Sequence, residues 1–420
     1  SMSLWTRVPQ SGPAPCDRYK HACCAQGDDI YLLGGRRQGR LNDFWRYSAA
    51  SSEWTELDCS SEEAPEELEE HTMVTHQGFL YVFGGMIDSA YTEGKTSLWL
   101  YDIDKKQWAR WQGAHSKSGV PVNRWGHSAV VYESAMHVYG GYIDMKGSTQ
   151  EFWMFDFDCG QWSSLLPPLG DAGPGPRHGH SAVVHRDGMY LYGGLMGLRE
   201  QSDFWKWNFC SQSWSSVKAF SGPSKLVGHS AVRYEDSMLL FGGGETHSFP
   251  KNSLWRFSFT SQTWEKLSTA ADASPPARIY HCSTGLGPGF QAKGSTAPSP
   301  GPSPGSTEKQ DGLRLRPFKN RCFPSAAMQG AIELDTFCIK NGTDGSGRET
   351  SSSGAPERDD PLCQPSLRTS GLTVVNREAF GKDSLSVPED RVVDLLLVIG
   401  GKPLSRRASI SVWQLTLADL

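Results

Sequence analysis

The sequence predicts an all-β protein, a six-bladed β-propeller with four antiparallel strands per blade. Three observations lead there: recurring Gly-Gly pairs, a histidine at a fixed distance before them, and tryptophans at a fixed distance after them. Gly-Gly pairs stand at 34–35, 84–85, 140–141, 193–194, 242–243 and 400–401. His21, His71, His127, His180 and His229 each lie thirteen residues before the first five pairs. Trp45, Trp99, Trp153, Trp205, Trp255 and Trp413 follow the pairs, and the first five have a partner nine residues on: Trp54, Trp108, Trp162, Trp214 and Trp264. The period is about 50 residues, a length that marks a stacked repeat architecture.

Each repeat resolves into four short strands. In the fourth, "HSAVVH" is a strand of small residues and "GMYLYGG" is an apolar strand ending in glycines. "DFWKWNF" alternates, and "SWSSV" closes the unit. Four antiparallel strands per repeat, stacked around an axis, hide their faces against neighbouring repeats. The small residues after each histidine suit a crowded innermost strand. The glycines allow positive φ and close backbone approach. The tryptophans, each able to bury roughly 150–250 Å², are expected between blades.

The sixth repeat is interrupted. "RIYH", ending at His281, starts an inner strand, but "VVDLLLVIGG" follows only after a long insertion, and "ISVWQLTL" is the third strand. The fourth is expected from the other end of the chain, because "LWTRV" with Trp5 matches "EWTEL" with Trp54. Residues 1–286 and 392–420 are therefore assigned to the propeller and 287–391 to the insertion between the first and second strands of blade six. The insertion contains "GSTAPSPGPSPGSTEK" and "NGTDGSGRETSSSGAPERDD", Pro/Ser/Gly-rich runs expected to be largely disordered.

The "GG" pairs, the "DFW"-type strands, the W-x8-W spacing and the strand starts "RYKH", "RWGH", "RHGH" and "RIYH" resemble the kelch repeat, in particular the kelch-domain-containing subgroup. The resemblance implies a non-enzymatic binding module; many kelch proteins are substrate receptors of ubiquitin ligases, and some related propellers hold a C-terminal carboxylate with arginines. The sequence shows no BTB, F-box or convincing elongin-binding segment. Kelch-type enzymes also exist, among them a copper oxidase, a sugar mutarotase and iron-dependent specifier proteins. The Tyr/His copper cluster and the E-x3-D-x3-H motif of two of these have no match here, so no catalytic residue, cofactor or metal is expected.

Composition narrows the classes further. Forty-one Lys and Arg against 46 Asp and Glu give a net charge of -5, so no bulk affinity for nucleic acid is expected. No apolar run reaches the roughly 18 residues of a membrane span. The N-terminus, in which Ser1 before Met2 reads as a tag scar, shows no signal peptide. The ten cysteines include no C-x-x-C pair and are expected as reduced thiols, which makes cytoplasm or nucleus the expected compartment.

The six repeats supply an internal comparison: what every blade carries is scaffold, and what one blade carries alone is a candidate site. The strand-start histidines therefore read as structural. In an antiparallel meander the fourth-to-first and second-to-third loops share one face, and the candidates lie there. Arg18, Arg124, Arg177 and Arg278 each stand three residues before a strand-start histidine; unit five offers Lys225 four before, and unit two has Leu68. This ring reads either as a family packing device or as a cationic mouth that holds a carboxylate. The loops "RRQGRLND" (Arg36, Arg37, Arg40) and "KPLSRRAS" (Lys402, Arg406, Arg407) should form one basic sector on blades six and one, with Arg18 and Lys20 beside it; the next loop, "DCSSEEAPEELEE", is acidic. Tyr19, Trp125, His178 and Tyr280 are candidate aromatic anchors. Ser409, after Arg406-Arg407-Ala408, and Ser299 and Ser303, each before proline, are candidate phosphorylation sites. The expected partner is a protein or peptide with an acidic segment or a C-terminal carboxylate, and the expected role is that of an adaptor or substrate-recognition subunit; a cytoskeletal or trafficking scaffold differs from it only in partner.

Overall fold

Runs such as "DIYLLGGR" and "SMLLF" are apolar apart from a polar residue at one or both ends and become second strands buried on both faces, whereas third strands such as "FWKWN" bury only part of their residues. The computed structural model describes residues 5–86, 97–113, 119–165, 172–268, 274–292 and 393–417. Within them the chain folds as six four-stranded antiparallel sheets. Blade one is Ala22–Gln26, Asp29–Arg36, Arg40–Ser48 and Glu53–Leu57; blade two is Thr72–His76, Phe79–Phe83, Leu98–Asp102 and Gln107–Arg110. Blade three is Ser128–Tyr132, Ala135–Tyr139, Phe152–Asp156 and Gln161–Ser164; blade four is Ser181–His185, Gly188–Tyr192, Phe204–Asn208 and Ser213–Ser216. Blade five is Ser230–Tyr234, Ser237–Phe241, Leu254–Ser258 and Thr263–Leu267. Blade six is Cys282–Leu286, Leu395–Ile399 and Val412–Thr416, completed by Trp5–Arg7 with Trp5 opposite Leu415. The six-bladed, all-β architecture is the one the repeat predicts, and the N-terminal strand closes blade six. No helix among the described residues is long and apolar enough to cross a membrane.

The second tryptophan of each pair wedges between blades. Trp108 packs on Phe44, Trp162 on Phe83, Trp214 on Phe152, Trp264 on Phe204 and Trp5 on Phe241, at ring separations of 5.0, 5.2, 5.6, 5.5 and 5.5 Å. In every case the tryptophan sits on the outer strand of one blade and its partner in the blade before it. Trp54 repeats the contact at the closure, in a cluster with Ile399 and Val412 of blade six.

Gly-Gly ends each second strand for a steric reason. A Cβ on Gly84, at φ +78, would lie 2.4 Å from the Arg124 carbonyl oxygen and 2.5 Å from the His127 ring. The strand-start histidine of the next blade fills that space, while the thirteen-residue offset within a blade follows from the second glycine, on which a Cβ would lie 2.6 Å from His71 Cβ at Gly85. His21, His71, His229 and His281 direct Nε2 at a carbonyl oxygen of the preceding blade, those of Ile399, Leu33, Tyr192 and Phe241, at 2.9–3.0 Å. His127 and His180 meet the hydroxyls of Thr72 and Ser128 at 2.9 Å instead. The histidines are therefore inter-blade ties.

Beyond Leu286 the chain makes a short 3-10 turn, Pro288–Phe290, in which Phe290 packs on Tyr234 of blade five and the Gly289 amide donates to Asp394. The Pro/Ser/Gly-rich runs of the insertion, with Ser299 and Ser303, lie outside the described residues.

Candidate partner-binding face

The segment before each innermost strand and the segment after each Gly-Gly meet on one face, as the meander requires. Isolated bridges join Tyr19 to Arg36, Trp125 to Tyr142, His178 to Leu195, Val227 to Gly244 and Ile279 to Lys402. One residue further along, the backbone forms a closed ring. The amide of Lys20 donates to the carbonyl of Tyr280, Tyr280 to Gly228, Gly228 to Gly179, Gly179 to Gly126, Gly126 to Glu70 and Glu70 back to Lys20, all at 2.8–3.1 Å. All six residues have φ between 55° and 72°. This annulus surrounds the propeller axis and fixes everything at the mouth relative to it.

The arginine ring belongs to the scaffold, and the cationic-mouth reading is corrected here. Arg18, Arg124 and Arg177 have no exposed side-chain surface and face carboxylates of their own blades. Arg18 grips Asp43 at 2.6 and 2.7 Å, Arg177 grips Asp203 at 2.7 and 2.8 Å, and Arg124 donates to Glu151 at 2.7 Å. The same acids accept from indole N–H groups: Asp43 from Trp45, Glu151 from Trp153 and Asp203 from Trp205. Burial opposes the charge on each acid, but the arginine and indole donors outweigh it and hold all three below the ordinary carboxylate value. These guanidiniums are buried against internal partners, with Arg124 Nη1 alone among them left without one, so a ligand carboxylate reaches no open fork there. Arg278 is buried as well, donating to Gly400 O and Ser411 Oγ at 2.8 and 3.2 Å; with no acid in this position, burial lowers its pKa to about 10. Lys225 is exposed, and its neighbour Leu226 occupies the arginine position in the core of blades four and five.

This triad was legible as a covariation among repeats that the sequence reading did not use. Where three-before-histidine is arginine in blades one, three and four, two-before-tryptophan is Asp43, Glu151 or Asp203; where it is Leu68 or Leu226, the partner is Ser97 or Ser253. Blade six combines Arg278 with Ser411.

The basic sector forms at the junction of blades six and one, with part of its charge neutralised. Arg37 donates to Ala408 O at 3.0 Å, and the Ser405 amide donates to buried Asp17 at 2.6 Å, docking the 402–409 loop on the strand-start segment of blade one. Lys402 lies over the Tyr19 ring at 5.3 Å. Arg36 pairs with Glu69 at 3.0 Å, which raises its pKa, and Lys20 pairs with Glu70 at 3.4 Å, so the acidic loop closes over two of the predicted cations. Arg40 is half-buried within its strand. Lys402, Arg406 and Arg407 remain exposed, with no ion pair among the described residues, and Ser409 is exposed beside them.

The aromatic candidates divide into two groups. Trp125 and Tyr142 lie 4.8 Å apart, and Tyr142 meets His178 at 5.3 Å. Burial lowers His178 to about 4, and its Nδ1 meets Ser148 Oγ at 2.7 Å, so it is a neutral, positioned ring. Across the annulus Tyr280 meets His247, and Lys20 lies 4.9 Å from the Tyr280 ring. Apolar tips that the sequence does not mark complete this face: Met145, Leu198 and Phe249 on the second-to-third loops of blades three, four and five, with Phe220 on the adjoining fourth-to-first loop, are 93, 96, 68 and 90% exposed. Among possible metal donors, His21, Cys23 and Cys282 place one nitrogen and two sulfurs within 4.8 Å of one another, but His21 Nε2 already meets Ile399 O.

Comparison with known proteins agrees with this geometry. The KLHDC2/KLHL20/DRC7 Kelch-repeats domain matches residues 1–117 and 93–289. The chain is 25% identical over 294 residues to the Leucine-zipper-like transcriptional regulator 1 homolog of Drosophila melanogaster, covering 66% of this chain and 29% of that protein. It is 26% identical over 329 residues to Host cell factor 2 of Homo sapiens, covering 68% and 40%, and 24% identical over 223 residues to Kelch domain-containing protein 10 of Xenopus laevis, covering 51% and 53%. The matched region thus spans between about a third and half of these relatives' own lengths. With the repeat, the six closed blades and the family match in agreement, the chain belongs to the KLHDC2/KLHL20/DRC7 kelch-repeat family.

Proposed function

We propose that the protein is a binding module that captures a protein or peptide on the face built from the fourth-to-first and second-to-third loops, serving as an adaptor or substrate-recognition subunit, with a ubiquitin ligase as one assembly it would serve. One observation carries the reading. Four large apolar side chains, Met145, Leu198, Phe220 and Phe249, stand exposed on one sector of that face, and the cations Lys402, Arg406 and Arg407, without an ion pair among the described residues, stand exposed on another. Isolated exposed apolar residues need no explanation, but four on three consecutive blades of one face would offer anchors to a partner. The cations supply steering toward an acidic segment or a terminal carboxylate. The described cysteines, none of them in a disulfide, suit a cytoplasmic or nuclear setting.

The test is an array of peptides that pairs acidic segments or free C-terminal carboxylates with apolar residues. Binders should lose at least tenfold in affinity to the Lys402→Glu, Arg406→Glu, Arg407→Glu variant and, separately, to Leu198→Ser with Phe249→Ser. Undiminished binding by the charge-reversed protein would sink the basic-sector reading.

A further inference from the structure

We propose that Cys23 and Cys282 are an oxidation site, a thiol pair that forms a disulfide between the innermost strands of blades one and six. The positions are equivalent from blade to blade: the residue after one strand-start histidine faces the second residue after the next blade's histidine. Around the ring these pairs are Ala22 with Met73, Thr72 with Ala129, Ser128 with Ala182, Ser181 with Ala231, Ser230 with Ser283, and Cys282 with Cys23. Next door, the Ser230 and Ser283 hydroxyls are hydrogen-bonded to each other, so the geometry brings the tips of these side chains together. Two sulfurs meet only across the closure, and their Sγ atoms lie within 4.8 Å. Cys282 also donates to His21 O at 3.1 Å, which fixes its rotamer toward blade one. Both residues are partly exposed, in contrast to buried Cys24 on the other face of the same strand.

The oxidant is hydrogen peroxide. The Cys282 sulfur attacks the peroxide, the O–O bond breaks, and a sulfenic acid and one water result. Cys23 then displaces the hydroxyl as a second water, the S–S bond forms, and two thiols have given two electrons and two protons to the peroxide. The bond joins strands 259 positions apart in sequence and lies where the ring is closed only by non-covalent contacts. It should act as a staple on the seam that also carries the Arg37 and Lys402 loops.

The experiment treats the reduced protein with hydrogen peroxide, blocks residual thiols with N-ethylmaleimide and maps peptides without reduction. A Cys23–Cys282 cross-linked peptide and a thermal midpoint raised by several degrees, both reversed by dithiothreitol, are expected. Cys23→Ser and Cys282→Ser should abolish both, and Cys24→Ser should leave both intact. Serine already occupies the equivalent pair in blades five and six, so these variants are expected to fold. Cys282 oxidised to sulfinic acid without the cross-link would overturn the proposal. So would stoichiometric zinc in the purified protein that is lost from both serine variants.

Discussion

Replacing Asp203 with serine removes the carboxylate that Arg177 holds at 2.7 and 2.8 Å, while the guanidinium has no exposed surface and keeps only its bonds to the Gly193 and Pro174 carbonyls. Removing one partner of a buried ion pair costs about 3–5 kcal/mol. Asp203 is 36% exposed, so solvent screens part of that interaction and about 2 kcal/mol is expected. Arg177→Leu should cost less, about 1 kcal/mol, because the stranded carboxylate keeps both its water and the Trp205 N–H. The double variant recreates the Leu226–Ser253 pair that blade five already carries, so it should be more stable than Asp203→Ser alone, with a coupling of about 1 kcal/mol or more. Urea unfolding followed by tryptophan emission measures all three, with circular dichroism checking that the transitions coincide. Additive single-variant losses, or a cheaper Asp203→Ser than Arg177→Leu, would refute the assignment of the triad. The pH dependence has a defined sign. The Asp203 carboxylate is held below its ordinary value, so its contribution is complete above the unfolded carboxylate pKa and is lost as pH falls through the lower folded value.

The histidine ties give an acid sensitivity of their own. Burial lowers His71 and His127 to about 3 and His229 to about 4, against an unfolded value of about 6.5. In that interval the unfolded chain binds more protons, so stability falls as pH drops from about 6.5 toward 4, by up to about 1.4 kcal/mol per pH unit for each histidine. His229→Gln should make the dependence of the urea midpoint shallower between pH 7.5 and 5, and a curve parallel to the parent's would contradict the tie. At the closure, Trp5→Ala should cost about 3–5 kcal/mol, since Trp5 is buried against Phe241, and half-buried Trp413 should cost less when truncated the same way. Equal losses in chemical denaturation would mean that the N-terminal strand does not seal blade six through its tryptophan.

The architecture was legible because its determinants are local and repeated. His71 and Gly85 belong to one blade, and the close contact that joins them recurs in every unit and so leaves a fixed offset in the sequence. The closure was legible for the same reason, since Trp5 had to stand where Trp54 stands. The site was less so. Arg177 and Lys402 look alike as letters, and only their partners separate them: Arg177 finds Asp203, 26 residues on, whereas Lys402 projects over Tyr19 from the opposite end of the chain. The Arg-acid pairs were recoverable from comparison among units, because serine replaces the acid where leucine replaces the arginine. The exposed tips Met145 and Leu198 were not, because a single apolar residue in a loop carries no sign of whether it will be covered.

The annulus separates scaffold from site within one ring. Gly126, Gly179 and Gly228 take its left-handed backbone freely, but Tyr280, Lys20 and Glu70 hold φ of 59°, 60° and 55° with side chains that disfavour it, at a cost of order 1 kcal/mol each. A ring that served only to close the mouth would be better built from six glycines. The three exceptions are consecutive, on blades six, one and two, and their side chains touch: Lys20 lies between the Tyr280 ring and the Glu70 carboxylate, whose pKa burial raises. Strain retained on one arc, beside the exposed Lys402, Arg406 and Arg407, supports the proposal that the side chains of that arc act in recognition. On that proposal blades three to five, with a glycine floor and apolar tips above it, would supply anchoring area, and discrimination between partners should respond to Lys20 and Tyr280 before it responds to Met145 or Leu198.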